Sequence, residues 1–376
     1  DLVLASFGRG FYILDDYSAL RTFADDLFKK EAHIFPIKDG QMYIESSPMG
    51  MKGKSSQGES HYTAENPPIG VVITYLLNDT LKTAKENRRS AEAKLIKDNK
   101  DVVYPTYAEF SNEDNEEKPY LIFTITDEKG NVVRKMRSAP KNGVNRIVWD
   151  FRLTSTTPIR LKPRTVGRYS SADVGPLCLP GTYNVSIAKV ENGKVTELDP
   201  VNPFKCDWLN TPTLPAADKA EVLVFQQKAA DLQRAVRGTQ KVQGDISERL
   251  NYIKKAVEQT PNVPLTMLQE VKTLEDKMNT ISIRLNGDPS LSSRDIEQAN
   301  SISDRIELSV YFMWYNRSNP TTTCRELYED AGNAFEPVLE EIKAVFAQVE
   351  ALEAKLDELK APYTPGRTPL PDWKME

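Results

Sequence analysis

The feature that most constrains this chain of 376 residues is a change of apolar period near Pro215. Ahead of it, β-branched and aromatic residues gather in short runs: Val71-Val72-Ile73-Thr74-Tyr75-Leu76-Leu77, Tyr120-Leu121-Ile122-Phe123-Thr124-Ile125, Val132-Val133, Arg146-Ile147-Val148-Trp149 and Tyr183-Asn184-Val185-Ser186-Ile187-Ala188. Between them Lys129-Gly130-Asn131, Lys141-Asn142-Gly143 and Glu191-Asn192-Gly193 supply the positive-φ residues that a reversing strand needs. Beyond Pro215 the apolar residues recur every three or four. Val222, Phe225, Ala229, Leu232, Val236, Thr239, Ile246, Leu250, Ile253 and Val257 predict one long helix, tolerant of Gly238 and Gly244. Leu265 to Ile281 predicts a second and Ile296 to Met313 a third. The seam Phe335, Val338, Ile342, Val345, Val349, Leu352, Leu356, Leu359 predicts a fourth, with Thr323 and Glu326 as a capping box at its start.

Both periods in one chain, in separate blocks, predict a multidomain α+β protein. A β-sandwich is expected over 66–210, with insertions at 80–118 and 155–179. Asn286-Gly287-Asp288-Pro289 and Asn319-Pro320 break the later pattern, so 215–360 reads as an antiparallel helical bundle whose successive members alternate in direction. Residues 39–65, dense in Gly, Ser, Met and Pro, read as a flexible linker, and 361–376, with Pro362, Pro365, Pro369 and Pro371, as a surface tail.

Composition excludes several partners. Lys plus Arg number 49 against 54 Asp plus Glu, a net charge of −5, so no overall positive field draws in nucleic acid or anionic lipid. No apolar run approaches the roughly 18 residues of a membrane span. Cys178, Cys206 and Cys324 make no C-x-x-C pair, and an odd number cannot all pair within one chain. His33 and His61 are the only histidines, which leaves the chain poor in the usual acid–base and metal-binding material. No catalytic, cofactor or metal site is expected.

The chain opens at Asp1 in a strand-like run, Leu2-Val3-Leu4-Ala5-Ser6-Phe7, turns at Gly8-Arg9-Gly10 and returns through Phe11-Tyr12-Ile13-Leu14 to Asp15-Asp16. A lone hairpin is marginal in water and this one is strongly apolar, so it is expected to be the end of a larger β-domain cut at this point. Asp1-Leu2-Val3-Leu4 followed by Phe7-Gly8-Arg9-Gly10-Phe11-Tyr12-Ile13-Leu14-Asp15-Asp16 resembles the last blade of the sortilin-like BNR-repeat β-propeller proteins, exported bacterial proteins carried under a glycosyl hydrolase label. In that family the propeller is followed by an immunoglobulin-like module similar to that of the flagellar hook-cap protein, then by a helical tail. Asn66-Pro67-Pro68, Val148-Trp149-Asp150 and Leu179-Pro180-Gly181-Thr182-Tyr183 follow the same order. The resemblance implies that 1–38 is the last-blade hairpin and a linker strand, that 66–210 is Ig-like, and that the protein is exported to the periplasm, outer membrane or cell surface. Nearly all of the propeller that would carry hydrolase chemistry lies outside this sequence.

Each candidate for chemistry has a plainer reading. Ser171-Ala172-Asp173-Val174-Gly175-Pro176-Leu177-Cys178 resembles an Asp-box, but no strand precedes it to make the required hairpin. Asp15 and Asp16 are adjacent on a strand end and point apart, so they cannot flank one glycosidic bond. Gly53-Lys54-Ser55 lacks the earlier P-loop glycine, Pro48 standing in its place. His33 reads as a strand-edge residue, and His61 with Met42, Met49 and Met51 as an exposed loop rather than a soft-metal site. Trp149 reads as sandwich core. Tyr311-Phe312-Met313-Trp314-Tyr315 cannot all face one core from a helix, so Tyr311, Trp314 and Tyr315 are the candidate partner-binding residues, with Trp373 as a candidate packing neighbour. The basic stretch Lys82 to Lys100 and acidic Glu113 to Glu117 read as a solvated helix and loop. The expected function is non-catalytic interaction and scaffolding at the cell envelope, with the preceding propeller part and an envelope complex as partners; the alternative is an accessory carbohydrate-binding part that takes a polysaccharide.

Overall fold

A computed structural model describes residues 1–8, 10–45, 66–162, 164–166, 173–209, 214–367 and 375. The protein is a mixed α+β chain that divides into two units, Asp1–Thr154 with Leu177–Thr211, and Ser155–Pro176 with Pro212–Glu376.

Among the described residues the first unit holds three sheets. β1 (Leu2–Ser6) and β2 (Gly10–Leu14) form a two-stranded hairpin, followed by the short helix α1 (Ser18–Arg21). β3 (Ala32–Ile34), β4 (Gly40–Met42) and β5 (Val71–Leu77) come next, then the helices α2 (Ala84–Lys97) and α3 (Tyr107–Asn115). β6 (Tyr120–Asp127), β7 (Val132–Ser138), β8 (Gly143–Trp149), β9 (Gly181–Glu191) and β10 (Lys194–Trp208) complete the unit. One sheet has the order β4-β10-β9-β6-β7, antiparallel except where β4 runs parallel to β10, and the other the order β3-β5-β8. Their buried faces share one core. Tyr75 of β5 meets Phe123 of β6 with ring centroids 4.9 Å apart, and Trp149 of β8 meets Tyr183 of β9 at 5.1 Å and Phe204 of β10 at 6.0 Å. The turn between β9 and β10 is Asn192-Gly193, both at positive φ, the two-residue reversal that matches strand twist.

Three parts of this unit differ from the sequence reading. Gly40–Met42 lies in the stretch read as a linker, yet it pairs with Cys206–Trp208, and Met42 is fully buried. The other linker residues, 46–65, and with them Gly53-Lys54-Ser55, His61, Met49 and Met51, lie outside the described residues. Ala32–Ile34, read as a linker strand of the hairpin segment, is an edge of the β3-β5-β8 sheet. The insertion 80–118 carries two helices with no buried residue, so hydrophobic burial does not hold them. Each instead has a Thr/Glu capping box, and Arg88 grips Glu113 through Nε and Nη2 at 2.6 and 2.8 Å while Nη1 reaches Glu92 at 2.5 Å.

The second unit is built on α4 (Lys219–Gln259), α5 (Met267–Asn286), the single turn α6 (Pro289–Ser292), α7 (Ile302–Trp314) and α8 (Thr322–Glu358), with one apolar core drawn from the four longer helices. Side-chain pairs give their directions. Lys355–Glu270, Lys277–Gln348 and Arg284–Glu341 are rungs one heptad apart, rising along α5 as they fall along α8, so these two are antiparallel. Arg325–Glu221 and Arg249–Glu353 keep one offset, so α4 and α8 are parallel. Gln226 reaches the Met313 carbonyl and Arg237 reaches Glu307, which sets α7 against α4. The successive helices α5 and α7 therefore run in the same direction, where the sequence reading has them alternate. Gln240 Nε2 marks the joint, donating to Asn286 Oδ1 at 2.7 Å and to Ser303 Oγ at 3.0 Å. At 1.5 Å per residue α4 is about 60 Å long, and α5 and α7 in series cover about 50 Å of it. α7 begins at Ile302 behind a Ser301–Asp304 capping box, and α8 at Thr322 behind Thr321, so the pattern from Ile296 and the Thr323–Glu326 cap are both corrected.

The loop read as a sandwich insertion, 155–179, is divided. Residues 155–176 belong to the helical unit, where Val174 packs on the core and Thr157 Oγ1 accepts from Arg237 Nη1 at 2.7 Å; Leu177 and Cys178 belong to the core of the sheets. The start of the tail docks as well, with Arg367 buried and donating to the carbonyls of Ala361 and Pro362 at 3.1 and 3.0 Å, while Pro369, Pro371 and Trp373 lie outside the described residues. Glu353 is fully buried and has Arg249 as its forked partner at 2.9 and 2.6 Å. Glu353→Ala is expected to lower stability in urea unfolding by about 3–5 kcal/mol, because the guanidinium is left uncompensated, whereas replacing both residues by Met restores most of it.

Candidate interaction surface

The hairpin β1–β2 is the one sheet among the described residues with no buried member. Its register pairs Leu2 with Leu14, Val3 with Ile13, Leu4 with Tyr12 and Ala5 with Phe11. Cross-strand partners share a face, so one face carries Leu2, Leu4, Tyr12 and Leu14 and the other Val3, Ala5, Phe11 and Ile13. Both faces are apolar, and Phe11 is 78% exposed. A strand pair that covers a core on one side shows polar residues on the other; two apolar faces are the pattern of a sheet covered on both. The hairpin base is fixed to its unit by Arg146 of β8, whose Nη2 donates to the carbonyls of Asp15 and Asp16 at 2.9 and 2.7 Å.

On α7 the five large residues separate by helical angle. Val310, Met313 and Trp314 continue the buried stripe from Ile302 and Ile306, while Tyr311, Phe312 and Tyr315 face outward. Trp314, read as a partner-binding residue, is therefore a core residue. Tyr311 and Tyr315 are one turn apart with ring centroids at 5.1 Å, and Phe312 joins them at 5.8 Å from Tyr311. Phe312 is the member of this exposed set that the sequence reading left out, and the inward stripe 306, 310, 313 could have found it.

The residues weighed for chemistry hold structural places. Asp16 sits at φ +45° and its carboxylate accepts from the Ser18 N–H and hydroxyl at 3.2 and 2.5 Å. Burial pushes this carboxyl up, but the Ser18 bonds with Lys38 and Arg146 outweigh it and hold the group below its ordinary range. It is a turn, not half of a catalytic pair. Of the Asp-box-like segment, Ser171 and Ala172 lie outside the described residues, Asp173 pairs with Arg160 at 3.4 Å, and Cys178 is in the core. Trp149 is buried, with Nε1 donating to the Arg152 carbonyl at 3.0 Å. Among the described residues no group of three or more His, Cys, Asp or Glu is placed to hold a metal ion, and no helix is long and apolar enough to cross a membrane.

His33 lies in β3 with Nδ1 3.5 Å from Asp199 Oδ2, the same oxygen that accepts the Ile34 N–H at 2.6 Å. Burial is the main influence and, with Lys30, holds the imidazole below its ordinary 6.5, against the pull of Asp199 and Asp26. No family model matches this chain, and neither a curated protein nor a solved structure matches it.

Two expectations follow from these placements. Because folded His33 takes a proton less readily than the unfolded chain, its contribution is complete above pH 6.5 and is lost as pH falls through its lower folded value. His33→Gln should flatten the acid side of a stability-against-pH curve, and an unchanged slope would show that His33 is not linked to folding. Trp314→Ala should cost about 3–5 kcal/mol in urea unfolding, while Tyr311→Ser stays within about 0.5 kcal/mol.

Proposed function

We propose that this chain is the non-catalytic interaction and scaffold region of an exported propeller protein, in which the hairpin enters a larger β-assembly and the units behind it hold or present that assembly at the cell envelope. The observation that carries this reading is the hairpin with two exposed apolar faces. A strand pair between neighbouring blades of a propeller is covered on both sides, and the resemblance of residues 1–16 to a last blade supports the same placement. Its occupant is then a β-sheet surface supplied by propeller sequence, which meets the apolar residues of each face and pairs with the edges of β1 and β2. The aromatic contacts between two sheets support an immunoglobulin-like sandwich for 66–210, and the heptad rungs support a helical bundle for 215–360, one in which α5 and α7 run against α4 and α8. Tyr311, Phe312 and Tyr315 supply a second, smaller contact surface, since aromatic side chains are favoured interface anchors.

Charged substitutions on both hairpin faces test the reading on the full chain. The parent chain should bind an apolar-surface dye and self-associate as its concentration rises, because its hairpin lacks its cover. Leu4→Lys combined with Phe11→Lys, one on each face, should abolish both while leaving the unfolding transition in place. A parent chain that is monomeric and silent to the dye, and indistinguishable from the variant, would overturn it.

A further inference from the structure

Cys178 and Cys206 are distant in sequence and meet in the core of the sheets, each 2% exposed. Cys206 lies on β10 opposite two glycines, Gly40 on the β4 side and Gly181 on the β9 side. Neither neighbour offers a side chain beside the sulfur; Cys178 is the group that most raises the Cys206 thiol, and Tyr183, whose hydroxyl donates to the Leu179 carbonyl at 2.7 Å, belongs to the same buried cluster. Cys178 is held there by its own backbone, whose N–H donates to the Phe151 carbonyl at 2.8 Å. Phe151 is fully buried at φ +60°, a costly conformation for an aromatic residue that persists only where its surroundings enforce it. A Cβ on Gly40 would come within 2.6 Å of the Phe151 ring, so Phe151, Gly40, Cys206 and Cys178 are packed as one group. Cys324 stands apart from them, in the core of the helices, where Thr321 Oγ1 lies 3.2 Å from its sulfur and no second cysteine belongs to that core.

We propose that Cys178 and Cys206 are a cystine-forming pair, joined when the chain folds in an oxidising compartment, with Cys324 remaining a thiol. The oxidant is a small disulfide such as glutathione disulfide. One cysteine thiolate attacks it and releases one glutathione thiolate, which takes up the proton given by that cysteine; the second cysteine thiolate then displaces the other glutathione from the mixed disulfide. Two protein thiols are oxidised and one glutathione disulfide is reduced to two glutathione thiols. The reaction belongs to the folding chain. In the finished core Cys206 is held far above the ordinary thiol range, by the neighbouring Cys178 and by burial, so the thiolate that exchange requires is suppressed. The inference is independent of hairpin docking, since no residue of the hairpin takes part.

The test is oxidative refolding of the full chain from denaturant in a glutathione redox buffer, followed by alkylation, intact mass measurement and non-reducing peptide mapping. The expected product is lighter by two hydrogens, carries one alkyl group on Cys324 and yields a linked peptide joining Cys178 to Cys206. Its denaturation midpoint is raised and returns to that of the reduced chain when reductant is added during unfolding. Cys324→Ser should give the same linked peptide. Three alkylated cysteines on the refolded chain, a link that includes Cys324, a glutathione adduct that persists on Cys178 or Cys206, or a Cys178–Cys206 link that forms only with loss of the native tryptophan fluorescence would each overturn the proposal.

Discussion

Trp149 is the side chain on which the sheet unit depends. It closes β8, meets Tyr183 and Phe204 of the facing sheet, lies 6.0 Å from the Phe151 ring at a tilt of 55° and is itself fixed by the Arg152 carbonyl. Aromatic pairs add roughly 0.5–1.5 kcal/mol each beyond the area they bury, so a ring with three such neighbours sets where the two sheets lie against one another. Phe151 follows the end of β8 at Trp149 and lies at positive φ, so the backbone leaves the strand there while the Phe151 ring stays buried beside Trp149. The same turn presents the Phe151 carbonyl to Cys178, which brings residues 177–178 back to the sheets after the excursion through 155–176.

In the helical unit the corresponding constraint is length. α4 and α8 are too long for either α5 or α7 alone to cover, and a parallel pair needs a third column to shield its remaining apolar stripe. Two shorter helices in series supply it. Gln240 holds the end of one and the start of the other, so residues 287–301 begin and end beside the same point of α4. Pro337 lies inside α8 without ending it, because tertiary burial on both sides outweighs a local preference.

Much of this was legible in the periodicity of the residues. The runs at 71–77, 120–125, 146–149 and 183–188 are strands, and the seam from Phe335 to Leu356 is buried along α8. Helical periodicity records which face is buried but not which way a helix points, so the series arrangement of α5 and α7 had no signature. β10 was harder to read for a different reason. Pro200 and Pro203 interrupt its ladder and its register shifts on both sides of Asp199, so the two-residue alternation is lost before Phe204 and Cys206 restore it. β3 and β4 have three residues each and owe their state to the strands beside them. In the candidate surface, the hairpin and its apolar character were plain in the order of residues. Five consecutive large residues hide the inward turn of Trp314, which shows only when they are set on the stripe that Ile306 and Val310 begin.

Three of the four outer edges of the other sheets contrast with the hairpin. β7 ends its sheet with charged residues, Arg134, Lys135 and Arg137, and β4 and β3 end theirs after three residues; short or charged strands are the usual means of keeping an edge from recruiting another chain. β1 and β2 have neither protection. Five residues long, without a charge and apolar on both faces, they offer two edges and two surfaces at once. Arg146 holds only their base, through backbone carbonyls, which fixes the hairpin in place without covering any of its apolar area. Among the described residues the hairpin is the strand pair that leaves both faces and both edges open.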